Sequence, residues 1–255
     1  MFLDYDKPRV HMHLSLQLLV HFALAAALLL ATLTAPLADP RTPIPEHAGG
    51  WQRALFPLRI PVTRLIDGRM RHFTEHCTAV IVSPGPSPLI VTAWHCLDGY
   101  QSLLEPIRLT LPGDPPVAVQ VVASGGSMEQ DWAILKAMQP IAGRYWIPIS
   151  QRPLKAGAKI SAVGFGTLLT DPVSVANRDH RRELLADESC RVVDATFTKA
   201  TSTCVARQGA SGGAILSRTA SGSVRVAGII SAGDGHSISL FYPTWFLLQR
   251  IRTLR

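Results

Sequence analysis

The chain has 255 residues and a mass of 27.6 kDa, with 47% hydrophobic residues, 17% charged residues and a formal net charge of +7. A composition this apolar, without a collagen-like or heptad period, excludes disorder, fibres and coiled coils, and the length suits one large domain or two small ones. A single long apolar run also excludes a multi-span membrane protein.

That run comes first, from Leu14 to Ala35, with Lys7 and Arg9 upstream and the small-residue stretch Ala35-Pro36-Leu37-Ala38 at its end. Its length is near the ~20 residues that span a bilayer, so two readings stand: a signal peptide over residues 1–38, or a membrane anchor over residues 14–35. The small residues favour cleavage and a secreted or periplasmic body, with membrane contact only if the segment is retained. Removing 1–38 takes away two acids and two bases (Asp4, Asp6, Lys7, Arg9), so the +7 belongs to the body. The bases are scattered apart from a cluster at Arg178–Arg182, and aromatics do not interleave with them, so no nucleic-acid partner is expected.

Residues 39–50 read as an extended lead-in rich in Pro and Gly. Beyond it, short apolar or alternating runs recur between turn residues: Cys77–Val82, Leu89–Thr92, Ile107–Leu111, Val117–Val122, Trp132–Leu135, Ile160–Val163, Ala214–Leu216 and Val224–Ile230. Many short strands at close spacing predict an all-β barrel or sandwich. The division expected is a first β unit over 51–143, a linker over 144–157 carrying Pro148 and Pro153, and a second β unit over 158–255. The tail Pro243–Leu254 is expected to be a helix, with Trp245, Leu248 and Ile251 at helical spacing.

All four cysteines, Cys77, Cys96, Cys190 and Cys204, follow the export segment, and an even count there points to two disulfides. Three pairings are possible; the local one joins Cys77 to Cys96 and Cys190 to Cys204. No close Cys pair suggests zinc. His72 and His76 have helical i, i+4 spacing but sit at a strand entry, so they read as a surface pair, and no metal is expected.

Three stretches carry chemistry. An apolar strand ends in Thr92-Ala93-Trp94-His95-Cys96; Asp131 opens the apolar run Trp132-Ala133-Ile134-Leu135; and Ser211 lies in the glycine-rich turn Gln208-Gly209-Ala210-Ser211-Gly212-Gly213. A serine hydroxyl is a weak nucleophile. It needs an imidazole to take its proton, and the imidazole needs a carboxylate to fix its tautomer and stabilise its cation. Glycines around the serine let backbone N–H groups, here those of Gly209 and Ser211, converge on an oxyanion.

These stretches resemble the chymotrypsin/trypsin-like serine proteases, whose motifs T-A-x-H-C, D-x-A-L/I-L and G-D-S-G-G-P are similar to Thr92–Cys96, Asp131–Leu135 and Gly209–Ala214. The resemblance spans roughly residues 50–250. It implies an all-β fold of two six-stranded antiparallel β-barrels with a C-terminal α-helix. It implies a triad of His95, Asp131 and Ser211, an oxyanion hole of Gly209 and Ser211, and the bridges Cys77–Cys96 and Cys190–Cys204. The second bridge closes a loop worth ~3 kcal/mol by chain entropy. The strand Ile229–Gly233 resembles the one that pairs with substrate, which assigns Ser231, Ala232 and Gly233, together with Val205 and Gln208, to substrate binding. The activity implied is that of a monomeric endopeptidase acting on protein or peptide through an acyl-enzyme, with no metal or organic cofactor.

Two positions depart from the pattern. Where digestive-type members carry an acid that pairs with a new N-terminal ammonium, this chain has Ala210, so activation by that ion pair is not expected. The residue six before the nucleophile is Val205 rather than an acid, so a basic P1 side chain lacks a counter-charge unless Asp234 reaches in; a small or medium apolar P1 is expected. Ala210 also leaves open a catalytically silent fold serving as a binding module, and an esterase could share the triad.

Overall fold

Alternating apolar and polar residues run through the longest hairpin of the protein. Strands β2 (Leu55–Ile66) and β3 (Arg69–Ile81) pair continuously from Leu55↔Val80 to Ile66↔Arg69. They are joined by Asp67 and Gly68, both with positive φ (51° and 72°), as the tight primed turns of hairpins require. Leu58, Ile60 and Val62 are buried while Arg59 is exposed, so one face of β2 lines a core and the other meets water.

The computed structural model describes residues 39–45, 50–101, 105–141, 145–168 and 182–255, all within the compact unit Asp39–Arg255. Residues 1–38, read above as a signal peptide or membrane anchor, lie outside the described residues, as does the basic cluster up to residue 181. Among the described residues no helix is long and apolar enough to cross a membrane.

The hairpin closes into a six-stranded barrel with β4 (Leu89–Thr92), β5 (Ile107–Leu109), β6 (Val117–Ser124) and β7 (Ala133–Ala137), in the order β2-β3-β4-β7-β6-β5. Its interior is filled by branched residues such as Ile81, Ile90, Ile107, Leu109 and Leu135, none more than 1% exposed. Full burial of each such side chain is worth ~1.5–3 kcal/mol.

The second sheet has eight strands in the order β1-β9-β8-β12-β13-β14-β11-β10. They are β1 (Thr42–Pro43), β8 (Ser161–Gly166), β9 (Glu183–Asp187), β10 (Val192–Ala195), β11 (Ala200–Ser202), β12 (Ala214–Arg218), β13 (Val224–Gly233) and β14 (Ser239–Pro243). The fold is thus the expected mostly-β, trypsin-like one, with a correction to its second half. That half is a half-barrel rather than a closed six-stranded ladder. Strand β10 returns to the stretch before β8 through single bonds, Gly157 N to Val192 O, Val192 N to Ala158 O and Ile160 N to Cys190 O, and one bridge, Lys159↔Arg191. The lead-in supplies the extra strand β1, which pairs Thr42 with Ala186 on β9.

Residues between the two sheets are tied to both. Ile147 N donates to Ile81 O, and Ser150 N donates to Val226 O. The C-terminal helix α1 runs over Leu247–Leu254 and buries Leu247 and Ile251. It starts later than expected because Pro243 completes β14 opposite Gly228. Proline's fixed φ suits a strand end as well as a first helical turn.

Candidate active site

His95 lies on a short 3-10 turn, Trp94–Leu97, directly after β4. Its ring Nδ1 is 2.8 Å from Asp131 Oδ2, and its backbone N–H donates to Asp131 Oδ1 at 2.8 Å. The adjacent Cys96 is bonded to Cys77 on β3, which pins the turn to the barrel wall. The Asp131 side chain is only 1% exposed, while 25% of the His95 side chain reaches solvent.

Asp131 owes its place to the connection between β6 and β7. Gly125 and Gly126 fold this loop back on itself: Gly125 N–H donates to Trp132 O, and a β-carbon at Gly125 would stand 1.9 Å from Gln130 O. No residue but glycine fits there. Burial by itself would raise the Asp131 carboxyl, but the hydrogen bond and charge of His95, the Ser231 hydroxyl and the His95 backbone N–H together hold it below the usual range.

The Ser231 hydroxyl donates to Asp131 Oδ2 at 2.5 Å. Ser231 stands at a break in register between Ile230 and Ala232 on β13. Such a bulge re-aims one side chain out of the strand's alternation, and here it turns the hydroxyl toward the acid. The sequence placed Ser231 against substrate; its bond to Asp131 was not foreseen, because a bulge leaves no mark in hydrophobic alternation.

Ser211 sits in the turn before β12, between the two sheets. Its carbonyl accepts from Thr78 N–H, next to Cys77, and the Gly212 N–H donates to Ile230 O, next to Ser231. Gly212 has φ +80°, and a β-carbon on it would lie 2.1 Å from Thr92 Oγ1 and 3.0 Å from Ala93 N. The serine turn is therefore pressed against the segment that leads into His95. Among the described residues the Ser211 hydroxyl and His95 Nε2 share no hydrogen bond, and the N–H groups of Gly209 and Ser211 donate to no carbonyl.

Thr78 fastens the loop from the barrel side. Its hydroxyl donates to Gly209 O at 2.8 Å and accepts from Phe165 N–H at 2.8 Å. Gly209 has φ +92° and leaves no room for a side chain, since a β-carbon would meet Phe165 O at 2.7 Å and Arg182 at 2.9 Å. Ala210 is buried against Gly164, whose own β-carbon would stand 2.9 Å from Ala210 Cα. A buried ion pair stands nearby. Arg41 donates from Nη2 to Asp39 Oδ2 at 2.7 Å and to Thr167 O at 3.0 Å, while Arg207 Nε lies 3.9 Å from Asp39. Burial pushes the Asp39 carboxyl up, but Arg41, with help from Arg207, holds it below its ordinary value.

The remaining expected binding residues divide. Gln208, Ala232 and Gly233 are exposed. Val205 is buried, with its N–H donating to Asp187 Oδ2 at 2.9 Å. A β-carbon on Gly233 would lie 2.5 Å from Ala206 O, so the walls formed by β13 and the residues after Cys204 touch at that point. Asp234 does not reach inward; its carboxylate accepts the N–H groups of His236, Ser237 and Ile238, which depress its pKa strongly. Both bridges pair as expected, Cys77–Cys96 and Cys190–Cys204. Cys77, Cys96 and His95 cluster, but both sulfurs are in the disulfide and offer no thiolate to a metal. His72 and His76 share strand β3, where four residues span about 13 Å, too far for one ion.

The model of the trypsin family matches residues 62–246. The chain belongs to the trypsin family. It is thereby a trypsin-like serine endopeptidase, a class that acts on proteins and peptides. No curated protein sequence matches it. Among solved structures it is similar to the active form of the Rv3671c protease from M. tuberculosis, at 16% identity and a TM-score of 0.55, over 79% of this chain and 81% of that one. An inactive serine-to-alanine form of the same protease is similar at 15% identity and a TM-score of 0.51, over 86% and 97% of the respective chains. At these identities the likeness is one of fold.

Proposed function

We propose that this trypsin-family member is an exported endopeptidase in which Ser211 attacks the scissile carbonyl. His95 takes the hydroxyl proton as general base and returns it to the leaving amine as general acid. Asp131 fixes the ring with its Nδ1–H inward and stabilises the imidazolium, and Ser231 steadies Asp131. Gly209 and Ser211 N–H groups stabilise the oxyanion of each tetrahedral intermediate. Water, deprotonated by His95, hydrolyses the acyl-enzyme, freeing the carboxylate product while Ser211 Oγ regains its proton from His95.

The observation that carries this reading is the doubly bonded His95–Asp131 pair facing a serine turn whose neighbours, Thr78 and Gly212, pack on the segments flanking His95. Serine–base hydrogen bonds are often loose before substrate binds. The contact of Gly233 with Ala206 supports a small P1 side chain. Two disulfides support an oxidising compartment, reached through a signal peptide over residues 1–38. The competing reading, a silent binding module, draws on Ala210 and on the unbonded Ser211 hydroxyl. A fluorophosphonate probe separates them: an adduct on Ser211 that disappears in His95→Ala supports the enzyme, and folded wild-type protein without adduct supports the binder.

A further inference from the structure

The pairing of β2 with both its neighbours sets up a row of cations. Arg59 stands opposite His76 on β3 and opposite Arg108 on β5. Directly opposed residues share a sheet face, and the other face of β2 here, with Leu58 and Ile60, is the barrel core. Arg59 and Arg108 are exposed, and His76 is half-buried. Arg182 extends the row. Its Nη1 donates to His76 O at 3.1 Å and lies 2.9 Å from where a β-carbon on Gly209 would stand.

Like charges placed opposite one another across strands cost stability. The local acid relieves them only in part: Glu75 is paired with Arg64 at 2.9 Å, and its charge favours the cationic forms of Arg182 and His76 less than burial opposes them. Among the described residues no carboxylate forms an ion pair with Arg59, Arg108 or Arg182. Burial, then Arg182, then Arg59, hold the His76 ring below its usual pKa, which reports how near these charges lie.

The row also has a direction relative to the serine. Ser211 is held on one side by β13, through Gly212 N–H to Ile230 O, and on the other by β3, through Thr78 N–H to Ser211 O. The proposed acyl side of the substrate pairs with Ser231–Gly233 on β13. The peptide beyond the scissile bond therefore leaves across β3, over His76 and Arg182. Strands lie about 4.8 Å apart and an extended peptide rises about 3.3 Å per residue, so the row from His76 to Arg108 matches about three residues.

We propose that Arg182, Arg59 and Arg108, with His76, bind the leaving-group side of the substrate and select peptides with Asp or Glu within the first few positions after the scissile bond. This rests on the catalytic reading above and adds the substrate class to it. The test uses two peptides of identical acyl side, one with an Asp/Glu-rich leaving side and one with the Asn/Gln isosteres. Binding is read by fluorescence anisotropy on the full-length Ser211→Ala protein, and hydrolysis is read on the wild type. The acidic peptide is expected to bind and to be cleaved about tenfold better at low salt, with the advantage shrinking to about twofold at 0.5 M NaCl as screening sets in. Arg59→Gln/Arg108→Gln should shrink the ratio, and adding Arg182→Gln should bring it close to one. Equal binding of the two peptides by the unmutated strip, or an acidic preference that survives in the triple variant, overturns the proposal. Tighter binding of the acidic peptide without any cleavage keeps the docking strip and overturns the catalytic reading instead.

Discussion

The two halves hold their parts of the site in different ways. The closed barrel delivers His95 and Asp131 as a finished pair, bonded twice to each other, with a disulfide beside the histidine and the acid sealed from water. The half-barrel delivers Ser211 on a turn whose side chain bonds to nothing described, and whose position depends on contacts to the other half: Thr78 to Gly209, Thr78 to Ser211, and Gly212 against Thr92. The proposed base–acid pair is thus bonded within one sheet, with Ser231 of the other half added on Asp131, whereas the proposed nucleophile is placed only when the sheets are docked. Pre-organisation of the oxyanion site is then a property of the seam between them.

The comparison yields an ordered set of tests. Asp131→Asn should leave the fold intact but cost about 10⁴-fold in kcat, as loss of the tautomer-fixing carboxylate does in a Ser-His-Asp triad; a loss below tenfold would mean that the barrel side is not the organiser. Gly212→Ala forces a methyl into Thr92 Oγ1 and Thr78 O at φ +80°, so it should cost both stability and most of the activity by parting the seam, read by thermal denaturation alongside turnover. Arg41→Ala removes one partner of a buried pair and should destabilise by about 3 kcal/mol, with a fall in kcat if Asp39 and Arg207 indeed support the loop that bears Gly209. Ser231→Ala should be milder, about tenfold in kcat, because Asp131 keeps both bonds to His95.

Acid should act on the barrel side as well. The folded Asp131 carboxyl sits below its ordinary value, so its contribution to stability is complete above the unfolded value, about 3.9, and is lost as pH falls through the folded one. Denaturation midpoints compared between wild type and Asp131→Asn should converge below about pH 4.

Much of this was legible in the sequence. Leu89–Thr92 is strand β4 residue for residue, and Ile107, Val117, Ala214 and Val224 each begin both an expected run and an observed strand. Such runs are apolar enough to be read without knowing their partners. Strand β2 went unread although Asp67-Gly68 marks its hairpin, because Pro57 and Pro61 and interspersed arginines mask the alternation. Strands β10 and β11 are short and polar, carrying Asp194 and Thr201, and exist by virtue of the sheet they join. The motifs brought His95, Asp131 and Ser211 forward. Thr78, Asp39 and Arg41 were invisible because their partners, Gly209 and Phe165 for Thr78 and Thr167 and Arg207 for the pair, are set by tertiary contact alone.

The central claim is that the serine turn and the His95–Asp131 pair act together on one substrate carbonyl. Mass spectrometry of the fluorophosphonate-treated protein tests it most directly. The account predicts a single stoichiometric adduct on Ser211 in the wild type, formed at least 10³-fold more slowly in His95→Ala. Equal labelling of the two proteins, or an adduct on a different serine, would contradict it.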